Sequence, residues 1–95
     1  MSYTKIRYTV AEGVATITLN RPDKLNSFDR EMALETIDAL DKVMDDANVR
    51  AILLTGEGRA FCAGQDLAEA IAPGTKIEEI ISTQYNPIVR RIRNL

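Results

Sequence analysis

Apolar and polar positions alternate with period two in two stretches near the start of the chain, Ile6-Arg7-Tyr8-Thr9-Val10 and Val14-Ala15-Thr16-Ile17-Thr18-Leu19. β-Branched residues are frequent in both, which predicts two strands. Ala11-Glu12-Gly13 between them is short and carries a glycine, so an antiparallel hairpin is the simplest connection. The second strand is predicted to stop at Asn20-Arg21-Pro22, because Pro22 has no N–H for the ladder. The period then lengthens. Ser27 or Asp29 is placed to cap a helix, with Asp29 and Glu31 near its positive end. Met32, Ile37, Leu40, Met44 and Ala47 recur at helical spacing as its expected buried stripe, and Asn48 is the expected stop. Asp38 and Lys42 fall four apart on the outer face, where they can pair.

Ala51-Ile52-Leu53-Leu54 is apolar at every position, the pattern of a strand covered on both faces, as in parallel sheets. Strand, helix and strand at this spacing predict a βαβ crossover, and the class is α/β. Residues 66–72 predict about two helical turns, ended by Pro73-Gly74. Ile77, Ile80, Ile81, Gln84, Ile88 and Ile92 form a second stripe, which Pro87 is expected to kink or split after Tyr85 or Asn86. One crossover and three strands leave much apolar surface to cover. Residues 1–95 therefore read as the front portion of a larger fold, with a small self-associating domain as the alternative.

Composition narrows the function. Ninety-five residues make one small domain at most,. The net charge of −2 gives no basic footprint for nucleic acid,. The single cysteine, Cys62, forms no internal disulfide, which makes a reducing cytoplasm the expected compartment,. The first ten residues lack the apolar core of a signal peptide. No apolar run approaches the ~20 residues of a membrane span, so no membrane partner is expected. Without histidine, and with one cysteine, no metal site is expected,.

The candidate chemistry lies in GRAFCAGQDL, residues 58–67, just past the apolar strand. In open α/β sheets ligands bind near the carboxyl ends of the parallel strands. Gly56 and Gly58 do not begin a dinucleotide fingerprint, because Phe61 stands where the third glycine belongs, and no Gly-Lys-Ser/Thr follows. Residues 63–67 have two readings. One is a plain loop and helix cap, with Gly64 for backbone freedom and Asp66 at the helix start. The other is an oxyanion site made of backbone N–H groups at a helix N-terminus. On composition and spacing alone the plain reading is the stronger. Cys62 has no histidine to activate it and reads as a small buried residue. Asp66 is stabilised in its charged form at a helix start, which makes it a poor base. Arg90, Arg91 and Arg93 read as a solvated helix face.

Taken together, Asn20-Arg21-Pro22-Asp23-Lys24-Leu25-Asn26-Ser27-Phe28, Leu53-Leu54-Thr55-Gly56 and residues 58–67 resemble the crotonase superfamily, the enoyl-CoA hydratase/isomerase group. The resemblance spans nearly the whole chain with order and spacing kept. It implies the N-terminal part of a crotonase-like ββα spiral: a β-hairpin, a helix, a parallel strand, then helices. Residues 1–95 would be a partial domain, with the rest of the spiral and the trimerisation helices lying beyond it. The implied activity is on acyl-CoA thioesters, with coenzyme A as part of the substrate and no separate cofactor. By position, the Gln65 backbone N–H matches an oxyanion donor. Ala63, Gly64, Asp66 and Leu67 match residues lining the thioester and the CoA arm, and Lys24 and Leu25 the site for its adenosine end. The family's second oxyanion glycine and its acid/base carboxylates fall beyond Leu95. Its full-length members are homo-oligomers, trimers or hexamers. The segments 25–28, 61–67 and 85–91 are similar to the branch that isomerises ring-epoxide CoA thioesters in phenylacetate degradation. Hydratase or simple enoyl-isomerase chemistry is the alternative within the family, and a non-catalytic CoA-binding or assembly module the alternative outside it.

Overall fold

The computed structural model describes residues 2–95. Strands β1 (Ile6–Ala11) and β2 (Val14–Leu19) pair antiparallel from Ala11↔Val14 to Ile6↔Leu19. The two residues between them, Glu12 and Gly13, both have positive φ, which gives the turn the twist a two-residue hairpin needs,. The Gly13 carbonyl accepts from the N–H groups of Arg50 and Ala51 at 2.7 and 3.2 Å. That carbonyl thereby anchors the start of β3 (Ala51–Gly56), which runs parallel to β2 from Val14↔Ala51 to Leu19↔Gly56. The sheet order is β1-β2-β3.

Helix α1 (Arg30–Asp45) makes the crossover. Asp29 is its cap, accepting from the Met32 N–H at 2.8 Å, so of the two expected caps the structure uses the second. Its buried face differs from the expected stripe. Met32 and Leu40 are buried as expected, but their companions are Ala33, Glu35, Thr36, Ala39 and Val43. Ile37 is half-buried, Met44 is exposed, and Ala47 lies past the helix, which ends at Asp45 rather than at Asn48. The reason is Glu35. Its Oε1 accepts from the N–H groups of Thr4, Lys5 and Ile6 at 3.0, 2.8 and 3.2 Å, tying the lead-in of β1 to the helix. A buried carboxylate with this many donors is satisfied in place, and it fixes the rotation of α1 about its axis. Asp38 and Lys42 pair at 3.7 Å as expected, with the Tyr3 hydroxyl donating to Asp38 at 2.6 Å.

The core is the layer between α1 and one sheet face, built on Ile6, Ile17, Leu19, Phe28, Met32, Leu40 and Ile88. The expectation that β3 is covered on both faces is not met. Ile52 and Leu54 pack against the core, whereas Ala51 and Leu53 are exposed on the opposite face with Thr9, Ala11 and Val14. After the loop, α2 (Leu67–Ala70) is a single turn, shorter than expected. Helix α3 (Ile77–Ile80) runs through a π-turn at Ile81–Tyr85 into α4 (Asn86–Arg93). The split expected at Pro87 thus takes the form of a widened turn just ahead of it, which relieves the clash of a proline ring with the preceding turn. Ile80, Gln84 and Ile88 are buried, while Ile77, Ile81 and Ile92 are exposed. Arg91 pairs with Asp41 at 2.7 Å, and Arg90 and Arg93 are exposed. Among the described residues no helix is long and apolar enough to cross a membrane.

Candidate functional site

The parallel pairing of β2 and β3 brings their carboxyl ends together, and the Glu57 N–H donates to Leu19 O at 2.8 Å. The loops that follow, 20–29 and 57–66, therefore leave from one end of the sheet. A buried side chain joins them. Asn26, with no exposed surface, accepts from the Arg21 N–H at 2.7 Å through Oδ1. Its Nδ2 donates to Glu57 O at 2.9 Å and Ala60 O at 2.8 Å. Leu25 and Asn26 both have positive φ, a conformation that asparagine tolerates better than most residues,. Gly56 leaves the space: a Cβ there would lie 2.6 Å from both Ala60 O and Phe61 O, and 2.8 Å from Asn26 Nδ2.

The loops then run side by side. The Ala63 N–H donates to Leu25 O at 3.0 Å, the Phe28 N–H to Gly64 O at 2.7 Å and the Asp66 N–H to Phe28 O at 2.7 Å. The last two bonds form a parallel bridge between Phe28 and Gln65. In such a bridge Phe28 bonds the residues flanking Gln65, so the N–H and C=O of Gln65 itself point the other way. Among the described residues the Gln65 N–H has no hydrogen-bond partner. Gly64 beside it has φ of +117°, and a Cβ there would meet nothing within 4 Å. The glycine serves a backbone direction, with open space in front of it.

Charge holds the far end. The Arg21 side chain is 11 % exposed; its guanidinium donates to Ser27 O at 2.6 Å and Asp66 Oδ2 at 3.0 Å, with Asp29 at 3.6 Å. The other oxygen of Asp66 caps α2 by accepting from the Glu69 N–H at 3.0 Å. These contacts, the Glu69 N–H first and Arg21 second, hold the Asp66 carboxyl below the usual carboxylate range. Asp66 is thus the charged cap expected of it and a poor proton acceptor. Gln65 is tied by its side chain, whose Oε1 accepts from the Tyr85 hydroxyl at 2.5 Å. The Tyr85 ring packs on Phe28 with centroids 5.8 Å apart, and burial, with Cys62 and Glu69 nearby, pushes the phenol up. Cys62 is half-buried against the core.

The structure therefore brings Leu25, Ala63, Gly64, Gln65 and Asp66 together through the paired loops. Lys24 ends a 3₁₀ turn (Pro22–Lys24) beside Leu25 with its side chain in solvent, and Leu67 begins α2 with its side chain exposed. Sequence reasoning missed Arg21, Asn26 and Tyr85 as the groups that organise the site. An asparagine in a loop after proline is a turn signal, but nothing linear links it to Glu57 and Ala60 or Arg21 to Asp66. A cavity of about 580 Å³ lies elsewhere, beside β3 between Leu40, Val43, Ile52, Leu54 and Ile92. It shares no residue with 63–67. The lining of that groove is mainly apolar, whereas the loop pair presents an unpaired, aimed donor. We assign the candidate chemistry to the loops.

The site is thus a ββα unit that carries an unpaired peptide N–H beyond the carboxyl end of its parallel strand. Comparison with known proteins identifies the class. Residues 9–95 match the family described as enoyl-CoA hydratase/isomerase. The chain is 45% identical over 92 residues to a protein of Rhodobacter capsulatus named probable enoyl-CoA hydratase, covering 97% of this chain and 35% of that one. It is 44% identical over 90 residues to the 1,2-epoxyphenylacetyl-CoA isomerase of Escherichia coli, covering 90% of this chain and 34% of that one. The crystal structure of an enoyl-CoA hydratase/isomerase from Xanthobacter autotrophicus superposes with a TM-score of 0.74 at 38% identity, covering 95% of this chain and 32% of that one. The chain belongs to the enoyl-CoA hydratase/isomerase family, and its fold is the α/β arrangement of that family's N-terminal portion. It spans about a third of the length of the curated relatives it matches.

Proposed function

We propose that the protein to which residues 1–95 contribute this site is an acyl-CoA enzyme in which the Gln65 N–H receives the thioester carbonyl oxygen. As the reaction turns the thioester into an enolate-like anion, negative charge grows on that oxygen. A donor already aimed at the developing charge contributes about 3–4 kcal/mol to its stabilisation. The observation that carries the reading is the unpaired Gln65 N–H, fixed in direction by the Phe28–Gln65 bridge in a chain of this family. Ala63, Gly64, Asp66 and Leu67 flank the thioester and the CoA arm, and Lys24 and Leu25 receive the adenosine end. These contacts are mostly to backbone. Coenzyme A enters as part of the substrate, with no separate cofactor or metal. Asp66 is engaged by Arg21 and the α2 cap, so the proton-transferring groups come from outside this pair of loops.

The substrate we favour is a ring-epoxide CoA thioester of phenylacetate degradation, isomerised to its seven-membered oxepin form. Support comes from the 44% identity to the 1,2-epoxyphenylacetyl-CoA isomerase of Escherichia coli. A hydratase reading rests on the Rhodobacter capsulatus relative, at nearly equal identity. The enzyme would work in the cytoplasm as a homo-oligomer. The test begins with the product of the native gene. An intact mass more than twice 10.6 kDa places residues 1–95 in a larger enzyme, and turnover of ring-epoxide and enoyl-CoA substrates is then compared. Gly64→Val should lower kcat sharply by turning the Gln65 peptide, and Gln65→Ala should be milder. Equal losses would mean that the side chain matters and the backbone assignment is wrong. Failure to process either substrate class would remove the enzymatic reading.

A further inference from the structure

Gln65 presents two competing groups at one place: the unpaired backbone N–H and, at the end of its own side chain, a carboxamide oxygen able to accept from it. In the structure that oxygen is taken. The Tyr85 hydroxyl donates to Gln65 Oε1 at 2.5 Å, and Nε2 lies 3.5 Å from Asp66 O. Tyr85 is the last residue of the π-turn at Ile81–Tyr85, and its ring is held against Phe28, the residue that bridges to Gln65. Its position is therefore set by the same residue that aims the Gln65 peptide. The π-turn adds a residue to the helical repeat just there, a feature that recurs at functional sites. We propose that Tyr85 is a positioning residue, whose hydroxyl keeps the Gln65 carboxamide away from the Gln65 N–H so that this N–H stays open to the ligand. Burial raises the Tyr85 phenol above its ordinary value, so it remains a donor throughout the neutral range.

This inference rests on the proposed role of the Gln65 N–H, and it makes an ordering that a structural role for Tyr85 does not. Tyr85→Phe keeps the ring and its packing but frees the carboxamide to fold back on the peptide. Gln65→Leu removes the competing oxygen altogether. Removing the hydroxyl should therefore harm the enzyme more than removing its partner. In the protein made from its native gene, Tyr85→Phe is expected to lower kcat/KM roughly fivefold to tenfold, the worth of one hydrogen bond. In the Gln65→Leu background the same change should cost less than twofold, so the two substitutions are strongly non-additive. An undiminished loss in that background, or no loss from Tyr85→Phe alone, would overturn the proposal. A crystal structure of the Tyr85→Phe protein gives an answer independent of turnover. A carboxamide rotated toward the Gln65 N–H supports the positioning role, and one left in place refutes it. If the unaltered protein processes no acyl-CoA, the proposed function falls, and the crystal structure still decides whether the hydroxyl holds the side chain.

Discussion

Replacing Asn26 by Asp tests the joint between the two loops most severely, because the change is nearly isosteric. Oδ1 still accepts from the Arg21 N–H. The other position changes sign: where an amino group donates to Glu57 O and Ala60 O at 2.9 and 2.8 Å, an oxygen now faces two oxygens. A carboxylate with no exposed surface is costly,, and the folded protein limits the penalty by protonating it. Holding a carboxyl of ordinary pKa near 3.9 protonated at pH 7 costs about 4 kcal/mol. The acid proton satisfies one of the two carbonyls, and the other, left without a donor, adds about 1–3 kcal/mol. The total at pH 7 is about 5–7 kcal/mol, comparable with the whole stability of many domains.

The sign with pH follows from linkage. The introduced carboxyl has a folded pKa above its unfolded one, so its protonated form favours folding. The variant is relatively best below the unfolded value and loses stability as pH rises toward the folded one. Between pH 7 and pH 5 the deficit against the parent protein should shrink by about 2.7 kcal/mol, two units at 1.36 kcal/mol each. Urea unfolding of variant and parent at both pH values cancels the titration of every other group. A deficit under 1 kcal/mol at pH 7, or one that does not change with pH, would show that Asn26 does not join the loops as described.

Two further substitutions probe the same joint. Gly56→Ala puts a methyl within 3.0 Å of two backbone oxygens and the Asn26 amide; the overpacking should cost about 1–3 kcal/mol in a thermal melt, and an unchanged melting temperature would count against the close approach. Asp66→Asn keeps a good helix cap but loses the charge that Arg21 holds, so stability near pH 7 should fall by about 1 kcal/mol. Because the Asp66 carboxyl lies below its ordinary value, its contribution is present above about pH 4 and lost as pH falls through the lower folded value. The gap between variant and parent should therefore close in strong acid, and a gap that persists there would mean the charge is not what Asp66 supplies.

Local patterns made much of the fold legible. The alternation in β1 and β2, the glycine in their turn and the apolar run 51–54 that opens β3 each gave the right element and pairing. What the pattern could not reveal was polar burial. Glu35 and Thr36 lie on the buried face of α1, and Glu35 belongs there because three N–H groups from residues 4–6 meet it, 29 to 31 positions away. An apolar stripe drawn through Ile37 and Met44 rotates the helix away from those partners. The run 51–54 reads as covered on both faces, yet only Ile52 and Leu54 have cover among the described residues. At the site the balance is similar. Residues 63–67 stand out as a motif, and their position beyond a parallel strand follows from the order of elements. The groups that aim them, Arg21, Asn26 and Tyr85, act across 20 to 45 positions, and linear spacing carries no trace of that.

In the proposed function the paired loops hold the Gln65 N–H open for a thioester carbonyl. Its most direct test is a crystal structure of the native gene product with a non-hydrolysable acyl-CoA analogue bound. The carbonyl oxygen is expected about 2.7–3.1 Å from the Gln65 nitrogen, with the Phe28–Gln65 bridge intact. A carbonyl oxygen bound out of reach of that nitrogen, or an acyl chain seated in the apolar groove beside β3, would contradict it.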